Sequence, residues 1–342
     1  MKNPFSLTFG KEPQSLIVRN LQKNEIIEGF RDDPPGFQVC MITGVRGSGK
    51  TVALTTIANE FRKENDWIVV DLSPERDMLN TLAAELSNRP DLFQLFRDAK
   101  INLSFLGLGL EIDGVPPITD TAVALERMLQ RLTEKRKHVL VTVDEAVSNQ
   151  NVREFVSQFQ IYLRRNCSLY LLMTGLYENI YELQNEKALT FLYRAPKIEL
   201  SPLNIGLIAD SYGRIFHLSE KESLTMAKVT KGYSFAYQAL GYLCFKNGKS
   251  WQEILPQFDA LLEEYVYEKL WSELSYRDKE ILSKMAEEAE TKVGKIREKL
   301  GLTSNSFTVY RTRLIRKGIL YAPDHGYLDF TLPRFREFIL RR

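Results

Sequence analysis

The sequence contains little cysteine and no long hydrophobic run. Its three cysteines, Cys40, Cys167 and Cys244, are far apart and match no metal-ligand or redox spacing. Because each lies in or beside an apolar run, we expect three buried thiols. No stretch without charge approaches the roughly 20 residues of a membrane helix, which argues against a membrane partner. The chain also begins without the basic, apolar and small-residue segments of a secretory signal, so we expect a cytoplasmic protein.

The chain has almost no net charge, but the charge is unevenly distributed. Residues 292–342 contain twelve Lys or Arg against four Asp or Glu, a local charge of +8 within a total of +2, so residues 1–291 carry −6. A basic C-terminal segment on an acidic body favours a polyanionic partner. A length of 342 residues also exceeds one ordinary core and predicts two or three domains.

The first 200 residues alternate apolar, strand-like runs with amphipathic helices. This pattern is typical of a mostly parallel sheet with helices on both faces. The predicted strands are the most apolar runs, at 37–43, 67–72, 139–143, 169–175 and 197–200. The predicted helices carry apolar residues at helical spacing, at about 50–62, 78–86, 120–135 and 152–164. A partly alternating segment at 101–112 predicts an inserted hairpin or bulged ribbon.

A Gly-rich segment follows the first predicted strand and precedes the first predicted helix. It satisfies the spacing Gly-x-x-x-x-Gly-Lys-Thr, with the residues Gly44, Val45, Arg46, Gly47, Ser48, Gly49, Lys50 and Thr51. Its backbone N–H groups are expected to bind phosphates, Lys50 to reach the β and γ oxygens, and the Thr51 hydroxyl to ligate Mg²⁺. The alternative is a Gly-rich turn without a ligand. The flanking strand and helix favour a phosphate-binding loop, with ATP and Mg²⁺ as cofactors.

Two acids, Asp144 and Glu145, end the apolar strand predicted at 139–143. Such a pair fits the second half of an ATP site, in which the first acid holds the magnesium shell and the second polarises the attacking water. A solvated pair of acids at a strand end is the alternative. The sequence therefore predicts metal ligation by Thr51 and Asp144, and catalytic roles for Lys50 and Glu145.

The order of these motifs resembles that of the additional-strand class of P-loop ATPases, which includes the AAA+ proteins. With Thr174 after the next strand and Arg194 before the last one, the chain is similar to the AAA+ ATPases related to archaeal and eukaryotic replication initiators. Signal-transduction ATPases, often called STAND proteins, share most of this plan. The resemblance extends over nearly the whole chain. It implies an α/β fold with a P-loop NTPase parallel sheet of strand order 5-1-4-3-2 in residues 1–200, a helical lid in 201–274 and a winged helix in 275–342.

The resemblance also implies roles for residues outside the loop. Thr174 matches the position called sensor 1, which contacts the γ-phosphate or the water. Arg194 matches the arginine that reaches a neighbouring subunit's nucleotide, which implies a homo-oligomer with ATP at the subunit interface. Val18 and Arg19 precede the loop where the family forms its adenine pocket, although only the arginine of the family's Gly-Arg-Glu-like signature is present. The alternatives are a threonine of an ordinary turn and a surface arginine.

Two departures from the family concern the segment after residue 231. Ser234 stands where the signalling branch has the proline of a Gly-x-Pro turn, and residues 232–245 contain no second-sensor arginine. We therefore expect tight nucleotide binding and slow hydrolysis.

The last 70 residues predict helices at 277–288, 293–300 and 305–317, followed by two short strands around 324–326. Three helices and a hairpin follow the winged helix-turn-helix plan, which places its recognition helix in the DNA major groove. The candidate contacts to double-stranded DNA are polar or basic, namely Ser304, Asn305, Ser306, Arg311, Arg313, Arg316 and Lys317. A solvated basic face and a protein-docking module are the alternatives.

Two functional hypotheses follow. The first is a DNA-associated ATPase in which nucleotide state acts as a switch. The second is a STAND-like signalling or defence regulator whose winged helix contacts protein. A metabolic P-loop kinase is disfavoured, because the lid and winged helix supply no evident acceptor pocket.

Overall fold

A parallel β-sheet forms the centre of the first half of the chain. The computed structural model describes residues 2–8, 13–104, 107 and 112–342. Within these residues the sheet has five strands, β1 (Val39–Thr43), β2 (Trp67–Leu72), β3 (His138–Val143), β4 (Leu169–Gly175) and β5 (Lys197–Glu199). Their order is β2-β3-β4-β1-β5, which confirms the predicted order 5-1-4-3-2 read from the opposite edge.

The central strands are apolar because they are covered on both faces. Every residue of β1 and β4 is buried. Leu171 of β4 pairs with Val39 of β1 on one side and with Val141 of β3 on the other. Since all these strands are parallel, the carboxyl ends of β1, β3 and β4 lie side by side.

Seven α-helices and one 3₁₀ helix accompany the sheet among the described residues. They are α1 (Asn20–Arg31), α2 (Lys50–Arg62), α3 (Met78–Ser87), α4 (Pro90–Asp98), α5 (Thr121–Glu134), α6 (Gln150–Arg164), α7 (Tyr177–Asn185) and the 3₁₀ helix Lys187–Arg194. The side chains of Asp77, Asp120 and Asn149 accept hydrogen bonds from the first turns of α3, α5 and α6. These N-caps explain where the three helices begin. The sequence did not predict α1 and α4.

The second half of the chain is helical. It contains α8 (Ile205–Phe216), α9 (Glu220–Val229), α10 (Ser234–Asn247), α11 (Trp251–Leu262), a π-helical turn (Glu263–Tyr267), α12 (Glu268–Ser272), α13 (Tyr276–Glu287), α14 (Val293–Lys299), α15 (Ser304–Arg316) and α16 (Phe335–Leu340). The antiparallel strands β6 (Leu320–Tyr321) and β7 (Asp329–Phe330) follow α15 and form a short hairpin. Three helices and a hairpin thus follow one another in the predicted order.

The backbone contacts divide the chain into two compact units. The sheet unit comprises residues 20–43 and 50–199. The helical unit comprises residues 1–19, 44–49 and 200–342, of which residues 1 and 9–12 are not described. One buried cluster of the helical unit runs from Phe5 through Leu203 to Ile339. The predicted boundaries between lid and winged helix, at 274 and 275, stay a prediction.

Three smaller expectations concern single segments. Most of the ribbon predicted at 101–112 lies outside the described residues, including Gly109. The three cysteines have free thiols and are all buried, as predicted. In the described part of the chain, every helix is too short or too polar to cross a membrane.

Candidate nucleotide-binding site

The Gly-rich loop turns sharply between β1 and α2. Gly47 and Gly49 have φ angles of +75° and +91°, in the left-handed region that glycine adopts without steric cost. Gly47 is also required by its surroundings, since a Cβ atom there would lie 2.1 Å from the Tyr233 hydroxyl oxygen. The glycines of the motif therefore serve both the turn and its packing.

The carbonyl groups of the loop are held by the start of α10. The Tyr233 hydroxyl donates to the Arg46 carbonyl oxygen at 2.5 Å, and the Phe235 N–H donates to the Gly47 carbonyl at 3.1 Å. The Ser234 hydroxyl donates to the Ser48 carbonyl at 2.9 Å. The carbonyls of three consecutive loop residues thus accept hydrogen bonds from one short segment. In the sequence, this segment stands out only because Ser234 departs from the family pattern.

Arg19 completes this arrangement within the helical unit. Its guanidinium donates to the carbonyl oxygens of Ser48 and Ser201 and to the Ser234 hydroxyl, each at 3.0 to 3.1 Å. Burial lowers the pKa of Arg19 to about 10. Arg19 thus contacts the Gly-rich loop, whereas the side chain of Val18 is exposed, and the predicted roles of both toward adenine stay predictions.

The sheet unit supplies the oxygen atoms that suit a divalent cation. Lys50 and Thr51 begin α2, and Lys50 is buried at 8% exposure. The Thr51 hydroxyl donates to Asp144 Oδ2 at 2.7 Å, immediately after β3. A hydroxyl and a carboxylate are ligands that Mg²⁺ accepts, with phosphate and water oxygens completing its octahedron. Among the described residues, no group of three or more His, Cys, Asp or Glu side chains could hold a metal ion.

Thr174 contacts both acids of the pair. Its fully buried hydroxyl donates to Asp144 Oδ1 and accepts a hydrogen bond from the Glu145 N–H at 3.2 Å. Glu145 has a φ angle of +54°, a left-handed conformation that costs a residue with a side chain about 1–2 kcal/mol. These bonds hold the strained backbone and leave the Glu145 side chain exposed at the carboxyl end of β3.

The Ser48 hydroxyl also fits a phosphate ligand. Its hydroxyl oxygen is buried and has no hydrogen-bond partner among the described residues. Buried hydroxyl groups are rarely left without a partner. A phosphate oxygen beside the loop would satisfy it, so the residues present fit magnesium-bound nucleotide.

Arg194 lies away from this hydrogen-bonding network. It is the last residue of the 3₁₀ helix Lys187–Arg194 and its side chain is exposed. The candidate role of Arg194 toward a second subunit stays a prediction.

The candidate DNA contacts divide into exposed and engaged residues. Ser304, Asn305 and Ser306 are exposed at the N-terminus of α15, and Arg316 is exposed at its end. Arg311 is half-buried, and its Nε has no partner among the described residues.

Arg313 instead makes an internal ion pair. Its Nη2 lies 2.5 Å from Oδ1 of Asp278, a carboxylate that is 1% exposed, and also donates to the Ser275 hydroxyl. The guanidinium carbon lies 5.1 Å from the centre of the Tyr310 ring. No local sequence pattern predicts this ion pair, because Arg313 and Asp278 are 35 residues apart. Lys317, after the end of α15, is half-buried.

Comparisons with known proteins show the fold. Residues 264–339 match a family described as a domain of unknown function (DUF8462). No curated protein sequence matches the chain. A Walker-type ATPase of Pyrococcus abyssi superposes with a TM-score of 0.70 at 16% identity, covering 99% of both chains. The ORC2 protein of Aeropyrum pernix, solved as ADPNP–ADP complexes, gives 0.61 at 13% identity, covering 98% of this chain and 95% of that one.

The ADP form of that ORC2 protein gives a TM-score of 0.52 at 13% identity, covering 98% of this chain and 96% of that one. Sequence identities this low show only that the folds are similar. The chain shares the fold of this Walker-type ATPase and of ORC2, which agrees with the predicted P-loop NTPase fold. The P-loop parallel sheet is thereby confirmed.

Proposed function

We propose that the chain binds ATP with Mg²⁺ and hydrolyses it slowly, as a nucleotide-dependent switch. The observation that carries the proposal is the 2.7 Å hydrogen bond between Thr51 of the loop motif and Asp144 at the end of β3. It joins the two halves of an ATP site across 93 residues of sequence. Structures of this fold with ADP or with ADPNP and ADP add support.

Each residue of the site has a defined task in this proposal. The loop N–H groups and Lys50 bind the phosphates, while Thr51 and Asp144 hold Mg²⁺. The bound Mg²⁺ supplies charge neutralisation on the phosphates. The exposed Glu145 carboxylate orients and deprotonates the attacking water, and Thr174 holds the Glu145 backbone.

The slow rate of ATP hydrolysis that we propose depends on which charged side chains the site offers. Residues 232–245, at α10, include no arginine that could stabilise charge on the transferred phosphoryl group. Arg194 is exposed, so we propose that it completes the site of a neighbouring copy in a homo-oligomer. Hydrolysis would therefore accelerate only on assembly.

We also propose that residues 275–342 form a winged helix that binds double-stranded DNA. Support comes from the local charge of +8 in residues 292–342 and from the order of α13, α14, α15 and the β6–β7 hairpin. The exposed N-terminal turn of α15 suits base edges, while Arg311 and Arg316 suit phosphates. Since Arg313 neutralises Asp278, we assign it a smaller share of the DNA affinity.

The alternative function is a STAND-like regulator whose C-terminal helices contact protein. Val309 on α15 is 64% exposed and Tyr276 on α13 is 82% exposed, and such side chains suit protein contacts. The three buried free thiols fit a reducing compartment, which supports a location in the cytoplasm under either function.

The ATP site is tested by separating binding from turnover. Lys50→Ala should abolish binding of a fluorescent ATP analogue, whereas Glu145→Gln should bind it and fail to hydrolyse ATP in a single turnover. Lys63→Ala, which removes an exposed lysine just beyond α2, is the matched control. Equal ATP affinity of Lys50→Ala and the parent would refute the assignment, as would a parent rate comparable with fast AAA+ motors for the slow switch.

The DNA proposal is tested by the salt dependence of duplex binding. The logarithm of the binding constant should fall linearly with the logarithm of the salt concentration, and Arg311→Ala should make that slope shallower by about 0.9 if one phosphate contact is lost. Absence of binding at low salt, both with and without nucleotide, would reject DNA as the partner and favour the regulator.

A further inference from the structure

We propose that Arg19, Tyr233, Ser234 and Phe235 are positioning residues that set the shape of the phosphate-binding loop from its carbonyl side. We call these four residues the clasp. The proposal rests on the proposed nucleotide site and names what prepares that site for its ligand. All members of the clasp, and the loop residues 44–49, belong to the helical unit.

The clasp acts through the planarity of the peptide bond. In a trans peptide the C=O of one residue and the N–H of the next point in opposite directions. Tyr233 holds the Arg46 carbonyl and Ser234 holds the Ser48 carbonyl, so the N–H groups of Gly47 and Gly49 point away from the clasp. These are N–H groups that the motif aims at phosphate. The hydrogen bonds from the clasp to the loop carbonyls therefore orient the loop N–H groups toward the proposed phosphate site.

Ser234 joins two parts of the clasp through one hydroxyl. Its oxygen donates to the Ser48 carbonyl at 2.9 Å and accepts from the Arg19 guanidinium at 3.1 Å. A hydroxyl can donate and accept at once, whereas proline has no polar side-chain atom and no N–H. The serine that stands in place of proline thus supplies a bond that proline could not make.

Arg19 is half-buried and links three segments of the helical unit. Its guanidinium bridges Ser48, Ser201 and Ser234, so it ties the loop to the segment before α8 as well as to α10. After removal of Ser234 Oγ, Arg19 keeps two partners, the Ser48 carbonyl of the loop and the Ser201 carbonyl before α8. We therefore expect a weaker link between Arg19 and α10.

The segment that holds the loop is itself fixed. The Gly232 carbonyl accepts from the Leu203 N–H at 2.7 Å, and a Cβ atom at Gly232 would lie 2.5 Å from the Leu203 carbonyl oxygen. The ring of Phe235 stacks on Tyr265, with centroids 6.0 Å apart. These contacts connect the clasp to the segment before α8 and to the π-helical turn Glu263–Tyr267.

The clasp has a measurable consequence for the free protein. Without nucleotide, Ser234→Ala and Tyr233→Phe should each raise hydrogen exchange in the peptide that contains residues 44–51. The loss of one net hydrogen bond corresponds to roughly a five- to tenfold increase in the Kd for ATP. The Kd should change by a larger factor than the single-turnover rate, because the clasp's hydrogen bonds go to carbonyls of the loop proposed to bind phosphate.

The experiment compares four variants by hydrogen exchange, Kd and single-turnover rate. Ser234→Thr keeps the hydroxyl and should restore parent behaviour. Thr225→Ala is the control, since it removes an exposed hydroxyl bond within α9 of the same unit. Faster loop exchange and weaker ATP binding in Ser234→Ala and Tyr233→Phe, rescued in Ser234→Thr, support the clasp.

The opposite results are equally informative. Loop exchange and Kd equal to those of the parent in both Ser234→Ala and Tyr233→Phe overturn the clasp. Failure of Ser234→Thr to rescue Ser234→Ala also overturns the role of the hydroxyl. A parent that binds no ATP overturns the proposed function instead, while loop exchange in the nucleotide-free variants still decides the clasp.

Discussion

Thr174 offers the sharpest test of how the acid pair is held. The change Thr174→Val keeps the shape of the side chain and removes the hydroxyl that bonds Asp144 and the Glu145 N–H. The residue is 0% exposed, so water does not replace the lost partner. The matched variant Thr174→Ser keeps the hydroxyl and removes one methyl group.

The magnitude follows from the bonds that each variant loses. A hydrogen bond to a charged group contributes about 1.5–3 kcal/mol, and Glu145 N–H keeps a second contact to Asp144 Oδ1 at 3.1 Å. We therefore expect Thr174→Val to lower the free energy of unfolding by about 2 kcal/mol, a roughly 30-fold change in the equilibrium constant. Thr174→Ser should lose about 0.8 kcal/mol, the value of one buried methylene-sized group.

The assay is urea unfolding followed by the fluorescence of Trp67. This residue lies on β2 with its ring 4.7 Å from that of Tyr170 on β4, so it reports on the sheet unit. Trp251→Phe and Trp271→Phe in the background remove the two other tryptophans. Single-turnover hydrolysis, measured alongside, should fall about tenfold in Thr174→Val, corresponding to about 1.4 kcal/mol of lost positioning.

A Thr174→Val protein as stable as Thr174→Ser would refute the energetic argument. The same stability loss with an unchanged single-turnover rate would refute the positioning of Glu145 while leaving the structural bond in place.

Three further changes test other parts of the chain. Hydrogen bonds from two lysines of α14 hold the pKa of the Glu288 carboxyl at about 2, below its ordinary 4.5. The Glu288 carboxylate, held by these lysines, therefore stabilises the fold above pH 4.5. This stabilisation is lost as pH falls toward 2. Glu288→Gln should therefore flatten the decline of Tm between pH 4.5 and 2. Gly318→Ala should cost about 1–2 kcal/mol because φ is +66°, and should also weaken ATP binding because its Cβ would lie 2.1 Å from Val45 Cγ1 of the loop. Arg194→Ala should slow ATP turnover only at concentrations where subunits assemble, as judged by light scattering beside the rate.

Each of these changes has a control in the same region. Glu287→Gln removes a neighbouring carboxylate paired with an exposed lysine, and should leave most of the pH dependence of Tm intact. Gly301→Ala has a similar φ of +60° but open space around its Cβ, so it should lower stability without affecting ATP binding. Lys187→Ala changes the exposed opposite end of the 3₁₀ helix and should leave turnover unaltered. An equal effect of control and test variant would contradict the corresponding prediction.

Local sequence patterns predicted the sheet well. The strands at 67–72 and 169–175 and the helix at 50–62 have the predicted bounds, because long apolar runs and helical spacing directly reflect burial. The helices α1 and α4 were not predicted. The first half of α1 is mostly polar, and α4 buries only Leu92 and Phe96. Their apolar signal is weak, and packing against neighbouring elements decides their conformation.

The sequence also predicted some residues of the candidate site and missed others. Gly44–Thr51 and the pair Asp144 and Glu145 are candidates from sequence, because the proposed chemistry requires particular residue types at fixed spacing. The clasp is not recognisable, because its contacts are backbone carbonyls that any sequence provides. Arg313 also has the charge expected for DNA, yet the structure pairs it with Asp278.

The sequence by itself determined the α/β class, the strand order through its motif resemblance, and the position of the Gly-rich loop between β1 and α2. These features depend on periodicity and on side chains near one another in the chain. Only the tertiary structure decided which donors hold the loop carbonyls, which carboxylate neutralises Arg313, and which acid Thr174 orients. Those partners are between 29 and 188 residues apart, and their meeting depends on how whole helices and strands pack.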